Sequence, residues 1–323
     1  MPLLFSRTFV EMKTGQRPKY RELLADPEQP TGVAWKVFSS NPCRGTLNLI
    51  TRERTVAASK CIQKGVVFSL NWEITKPDPG LFHRKVCRHV FLEDAVSTDD
   101  YLDGFYLQGS SQWDALSHVY HPQRGHYLGL GKIKSPSENP IGVDRLASQG
   151  IVGRGVLVDI ARHLETEGRR LQPISCDPIS LADFKAALAR QQVQLQEGDI
   201  LAFRTGWMSN WRTIPEFRHE VARQPRIPGL SGAADFAEFL WDTGIAALVC
   251  DNPTVEVFPF ESQTDNLHHR LIVNLGMPLG EMFDLDALAA DCDEDRRYEF
   301  FFAAAPLNLP GGSGSPANAL GVR

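Results

Sequence analysis

Gln108, Gln112, Asp114 and His118 place two amides, a carboxylate and an imidazole within eleven residues, each at an even offset from the first. In an extended strand, residues two apart point the same way, so such a set would project from one face into one space. A polar face of that kind holds a metal ion or a substrate, or is simply the solvent face of a strand. Distance limits the metal option, because a straight strand would separate Gln108 from His118 by about 33 Å. Gln112 and Asp114 can share one ion. Gln108 joins them only if the chain turns at Gly109-Ser110-Ser111, where glycine and serine favour a bulge or turn, and His118 then arrives from beyond the strand. Trp113 has the opposite parity, which predicts burial behind the site, although a bulge at Ser110-Ser111 would turn it towards substrate.

Positioning such a face requires a scaffold, and the chain alternates helix-like and strand-like segments. Thr51 caps a helix that runs towards Gly65, with a strand at VVFSL. Gly155–Asp159 reads as a strand. Ser180 opens a helix through Leu181, Phe184, Leu188 and Leu195 towards Gly198, and Asp199 begins a returning strand. Ser231 opens a further helix closed by Gly244, followed by a buried strand over Ile245–Cys250. This is an α/β chain. Residues 207–230 carry Trp207, Trp211 and three prolines with little periodicity and read as a long loop, and 306–323, with LPGGSGSPANA, read as a flexible tail or one draped over a neighbouring subunit. The expected organisation is one domain over 1–305 and the tail over 306–323.

The 323 residues, 42% hydrophobic and 23% charged, suffice for a large core. A net charge of −5 provides no general attraction to nucleic acid or anionic membrane, so a small-molecule partner fits better. Six scattered cysteines without a C-x-x-C pair suggest reduced thiols. Pro2 to Phe5 and Phe9-Val10 are too short for a signal core, and no apolar run approaches a membrane span, so the expected compartment is the cytoplasm. Ser110 and Ser111 lie in no G-x-S-x-G elbow, and no dinucleotide fingerprint or P-loop occurs. His121 and His126 read as loop histidines. Asp251, at the end of the apolar strand IAALVC, is either a site residue or a turn former.

The stretch QGSSQWDALSH at 108–118 resembles the H-x-G-T-H-x-D-x-P-x-H signature of the cyclase or kynurenine formamidase family of metal-dependent hydrolases. RGVLVDI, GDILAFRTGW, PGLS, IAALVCDNP and LHHRLIVNLGMPLGEMFDL follow in that family's order, and the resemblance covers roughly residues 40–300. It implies a swivelling β/β/α fold. It places two of the family's metal-binding histidines at Gln108 and Gln112, its metal-binding aspartate at Asp114, its catalytic histidine at His118, a late histidine at His268 (or His269) that shares the proton-transfer role with His118, and a late acidic ligand or proton handler at Glu281. Trp113, Trp207 and Asp251 are the candidate substrate contacts. The implied activity is metal-dependent hydrolysis of the C–N bond of a small amide, formamide or cyclic amide. A lactone hydrolase or a catalytically silent ligand-binding protein is the alternative. Because glutamine offers a neutral carbonyl oxygen where histidine offers a nitrogen, the ligand set favours Mn²⁺ over Zn²⁺. The resemblance also implies a homodimer or homotetramer.

Overall fold

Runs of β-branched and aliphatic residues set the strands, and the fold is a mixed α/β arrangement built on one curled sheet. The computed structural model describes residues 17–323; the short apolar pieces before residue 11 lie outside the described residues. The strands are β1 (Val67–Ser69), β2 (Arg88–Glu93), β3 (Thr98–Asp103), β4 (Gln112–Asp114), β5 (Ile151–Asp159), β6 (Pro178–Ile179) and β7 (Ile200–Arg204). They continue with β8 (Gly229–Leu230), β9 (Ala247–Cys250), β10 (Leu279–Glu281), β11 (Glu299–Ala304), β12 (Gly314–Pro316) and β13 (Ala319–Val322). Nine of them form the main sheet in the order β1-β13-β11-β5-β7-β9-β10-β4-β12. The central run β5, β7, β9 and β10 is parallel. Its residues are buried on both faces, as a sheet covered by helices requires.

The helices are α1 (Tyr20–Ala25), α2 (Arg52–Ala58), α3 (Val143–Ala147), α4 (Ile160–Thr166), α5 (Leu181–Gln191), α6 (Trp207–Thr213), α7 (Pro215–Arg223), α8 (Ala234–Thr243) and α9 (Asp286–Asp295). The expected caps act at two of them. The Thr51 hydroxyl accepts from Arg54 N and the Ser180 hydroxyl from Asp183 N. Both helices are shorter than expected. α2 passes into a tighter turn at Ser59–Cys61, and α5 stops where Gln192 turns left-handed, so Leu195 and Gly198 lie beyond it. The helix before Gly244 begins at Ala234 and not at Ser231.

Two expectations are corrected. Residues 207–223 are not a loop: Pro215 sits at the first position of α7, where its missing N–H costs no hydrogen bond. Trp207, Trp211 and Phe217 form an aromatic cluster with Met208, Val221 and Leu81. Burial of these rings, and not helical periodicity, holds the segment together. Nor is 306–323 a flexible tail. β12 pairs antiparallel with β4 and β13 lies between β1 and β11. Pro316 is tolerated because β12 is an edge strand, where one side of the backbone needs no donor. No described helix is long and apolar enough to cross a membrane.

Candidate active site

Strand β4 is short, and its alternation does what the parity requires. Glu281 lies directly opposite Gln112 and Leu279 opposite Asp114 in the β4–β10 register, so Gln112, Asp114 and Glu281 share a face. Trp113 points to the other side. It is fully buried, edge-on to Phe283 and Phe302, and its Nε1 donates to Ala317 O at 3.1 Å. Trp113 is therefore a core residue and not a substrate contact.

His268 reaches the same face from the start of the π-helical turn His269–Leu275. One ligand atom from each of Asp114, His268 and Glu281 lies within 4.8 Å of the other two, and all three residues are buried. Both Asp114 carboxylate oxygens and Gln112 Oε1 are buried without a hydrogen-bond partner. Buried polar atoms left unpaired cost roughly 1–3 kcal/mol each, more when charged, and so point to a missing cationic partner. Three oxygen donors and one imidazole fit a divalent ion of the harder kind.

Burial pushes the Asp114 carboxyl up to about 6, with the neighbouring Glu281 charge adding to the rise. His268 behaves in the opposite way. Burial disfavours its charge, but Glu256 and Glu281 on its two sides outweigh burial and hold its pKa well above the ordinary imidazole value. Glu256 also accepts from Leu267 N and His268 N at 2.8 Å, and its Oε1 faces His268 Nδ1 at 2.8 Å. That bond places a proton on Nδ1 and turns Nε2 towards Glu281, 3.2 Å away. Histidine 269 points elsewhere, against Asn266 and the Tyr120 carbonyl, which settles the register between the two.

His118 stands at the mouth, its side chain 26% exposed and its Nε2 3.6 Å from Asp114 Oδ1. Burial lowers its pKa. Gln108 occupies the turn before β4, its Nε2 3.4 Å from His118 Nδ1, and its amide packs on Gly314 of β12. The amide lies beside Nδ1, while Nε2 faces the Asp114 side. Gln108 thus supports the imidazole.

Trp207 and Asp251 serve the scaffold. Trp207 is buried in the aromatic cluster. The Asp251 carboxylate accepts from Thr205 N, Thr205 Oγ1 and Gly206 N at 2.7–2.8 Å, tying the end of β9 to the start of α6, and burial pushes its pKa up to about 6. The Trp207 Nε1 is buried in the aromatic cluster without a hydrogen-bond partner. His121 and His126 bond to loop backbone, at Arg124 N and the Val119 carbonyl. Two residues escaped the sequence reading. Glu256 had no signal beyond its alternation with Thr254 after DNP, and Arg84 sits in the irregular segment between β1 and β2.

The family model described as "Putative cyclase" matches residues 71–257. A crystal structure of a novel cyclase is similar at 33% identity, with a TM-score of 0.79, over 90% of this chain and 99% of that one. The chain belongs to the cyclase family. An isatin hydrolase bound to the product analogue thioisatinate shares the fold at 14% identity, with a TM-score of 0.56 over 84% of this chain and 98% of that one. Isatin hydrolase A from Ralstonia solanacearum does so at 15% identity, with a TM-score of 0.55 over the same shares. No curated protein matches.

Proposed function

We propose that the chain is a metal-dependent hydrolase that cleaves the C–N bond of a small amide, formamide or cyclic amide. The observation that carries this reading is the Asp114 carboxylate, buried with both oxygens unpartnered beside His268 and Glu281. The fold it shares with isatin hydrolases supports the same coarse class.

Asp114, His268 and Glu281, with the Gln112 carbonyl oxygen, would hold a divalent ion. Such an ion, when bound, polarises a carbonyl and makes water a stronger acid. The chain's own residues do the rest. Glu256 fixes the His268 ring, and the Gln112 amide donates to Glu281 Oε2 at 2.5 Å, fixing that carboxylate. His118 is accessible and, with its pKa lowered, largely neutral near pH 7. It takes a proton from the attacking water as the C–O bond forms and returns it to the leaving nitrogen as the C–N bond breaks. A lactone oxygen leaves by the same transfer. We further propose assembly as a homodimer or homotetramer, supported by Phe91, Leu92 and Val96, which stand exposed on the β2–β3 hairpin.

The test is turnover of a panel of formanilides, cyclic imides and aryl lactones by purified protein, before and after chelation, with elemental analysis on the same sample. Ion-dependent cleavage of the formanilides to amine and formate, or opening of the imides to amide acids, supports the reading. Full turnover by a chelated sample free of metal would overturn it.

A further inference from the structure

Arg84 is the cation near the site that no carboxylate in the described residues neutralises. Other arginines are matched by carboxylates, Arg154 by Asp199, Arg204 by Asp159 and Asp286, and Arg212 by Asp284, while buried Arg44 donates to three backbone carbonyls. Arg84 Nη1 donates to the carbonyl of Gln108 at 2.6 Å, and its guanidinium lies over the Phe82 ring, 5.6 Å from the centroid. One hydrogen bond and one ring face leave most of its five donors free.

Two chains of contact lead from Arg84 to opposite sides of the acidic cluster. The first passes through Gln108, whose amide faces His118, which in turn faces Asp114. The second is aromatic. Phe82 meets Phe258 at 5.3 Å, Phe258 meets Phe260 at 5.1 Å, and Phe260 meets His268 at 5.5 Å. These three phenylalanines are only half-buried. They form a wall with Arg84 at one end and His268 at the other.

The backbone that presents Arg84 is held under tension. Phe82 and His83 are consecutive non-glycine residues at φ +53° and +61°, a left-handed conformation that costs an ordinary residue about 1–2 kcal/mol. Such outliers persist where surrounding structure forces them, and they gather at sites that must hold a group in one place. The turn is closed by Arg84 N donating to Leu81 O at 2.9 Å.

We propose that Arg84 anchors the substrate through an anionic group, and that the site takes a small, flat, carboxylate-bearing molecule whose apolar part lies along Phe82, Phe258 and Phe260. This rests on the hydrolase reading for the place of the reacting bond, beside His118. A planar guanidinium matches a carboxylate with two parallel hydrogen bonds, while the aromatic wall accepts a ring face. A dianion such as phosphate is disfavoured by Asp114, Glu281 and Glu256 close by. The Arg84 charge is felt at both Asp114 and His118, which places it within electrostatic reach of the reacting region.

Benzoate and nitrobenzene test this without turnover, since they share shape, differ in charge and contain no bond a hydrolase cleaves. A protein that hydrolyses nothing still gives a result. By calorimetry, the full-length chain is expected to bind benzoate roughly 10- to 100-fold more tightly than nitrobenzene. Arg84→Gln should lose that preference while holding nitrobenzene as before, and Arg84→Lys should retain part of it. Absence of the preference in the wild type, or its survival in Arg84→Gln, overturns the proposal. So does an equal loss of both ligands in Arg84→Gln with an unchanged melting temperature, which would assign Arg84 a shape-keeping role.

Discussion

Gln112 and Glu281 face each other across the β4–β10 pairing, and the amide of the first donates to the carboxylate of the second at 2.5 Å. The glutamine thereby steadies an acidic neighbour with its nitrogen while its oxygen remains buried and unpartnered. One side chain takes up two tasks, and the oxygen gives the site its hard character.

Metal preference should follow from that oxygen. Mn²⁺ is expected to restore a chelated sample better than Zn²⁺, because three of the four donors are oxygens. Gln112→His should move the preference towards Zn²⁺, read by competitive titration of the two ions. Equal restoration by both ions, unaltered in the variant, would remove the role assigned to Gln112.

Acidity should oppose ion binding at Asp114. An ion requires the ionised carboxylate, whose pKa in the ion-free fold is about 6. Affinity is expected to climb with pH even above that value, because His268, whose pKa is held well above the ordinary one, must release its Nε2 proton to bind an ion, and to fall more steeply below it. Stability runs the other way. The folded pKa exceeds the ordinary 3.8, so the ion-free fold binds this proton more tightly than the unfolded chain does. The penalty from Asp114 is full above about pH 6 and fades as pH falls towards 4. Asp114→Asn should abolish the stability trend and the added steepness of the affinity below pH 6, and calorimetry and thermal melts across pH 5–8 read them separately.

Glu256 is expected to act through His268. Glu256→Gln keeps the shape but weakens the hold on the Nδ1 proton, and loss of such a support typically costs about 10- to 100-fold in ion affinity. If affinity is unchanged while the fold is intact, the His268 ring is held by other contacts.

His118→Ala should reduce kcat by roughly 10²- to 10⁴-fold with ion content unchanged. Loss of the ion together with activity would make His118 a ligand and leave His268 to carry the proton.

Asp251→Asn should leave ion binding alone and lower stability by about 2–4 kcal/mol. The amide nitrogen would replace one of the two oxygens and meet a backbone donor, at Thr205 or Gly206, that the carboxylate now satisfies. Urea denaturation checks the stability and calorimetry the ion. A stable variant that loses the ion would return Asp251 to the site.

Legibility in the sequence followed the range of the interaction. The split of Gln112 and Asp114 from Trp113 was readable because a strand alternates every residue. A turn was expected at Gly109-Ser110-Ser111; the chain turns at Leu107-Gln108 and bends through those three residues. Glu256 was not readable, since its meaning comes from His268 across a loop. α6 and α7 were hidden because tryptophans and a leading proline obscure helical period, and only the packing of Trp207 on Trp211 and Phe217 reveals them. β12 was read as flexible because Gly-Ser-Pro is loop chemistry everywhere except at a sheet edge.

Both neighbours of β4 come from much later in the chain, β10 on one side and β12 on the other. A ribosome adding roughly 5–20 residues per second delivers Gln112–Asp114 some ten to forty seconds before Gly314–Pro316. Until β10 emerges, roughly eight to thirty-three seconds after β4, the strand has neither partner, and its buried-to-be carboxylate stays hydrated. Catalytic assembly is therefore a late event in the life of the nascent chain, and a stall or cut upstream of residue 279 would release a product that has Asp114 and His268 but has never gathered them with Glu281.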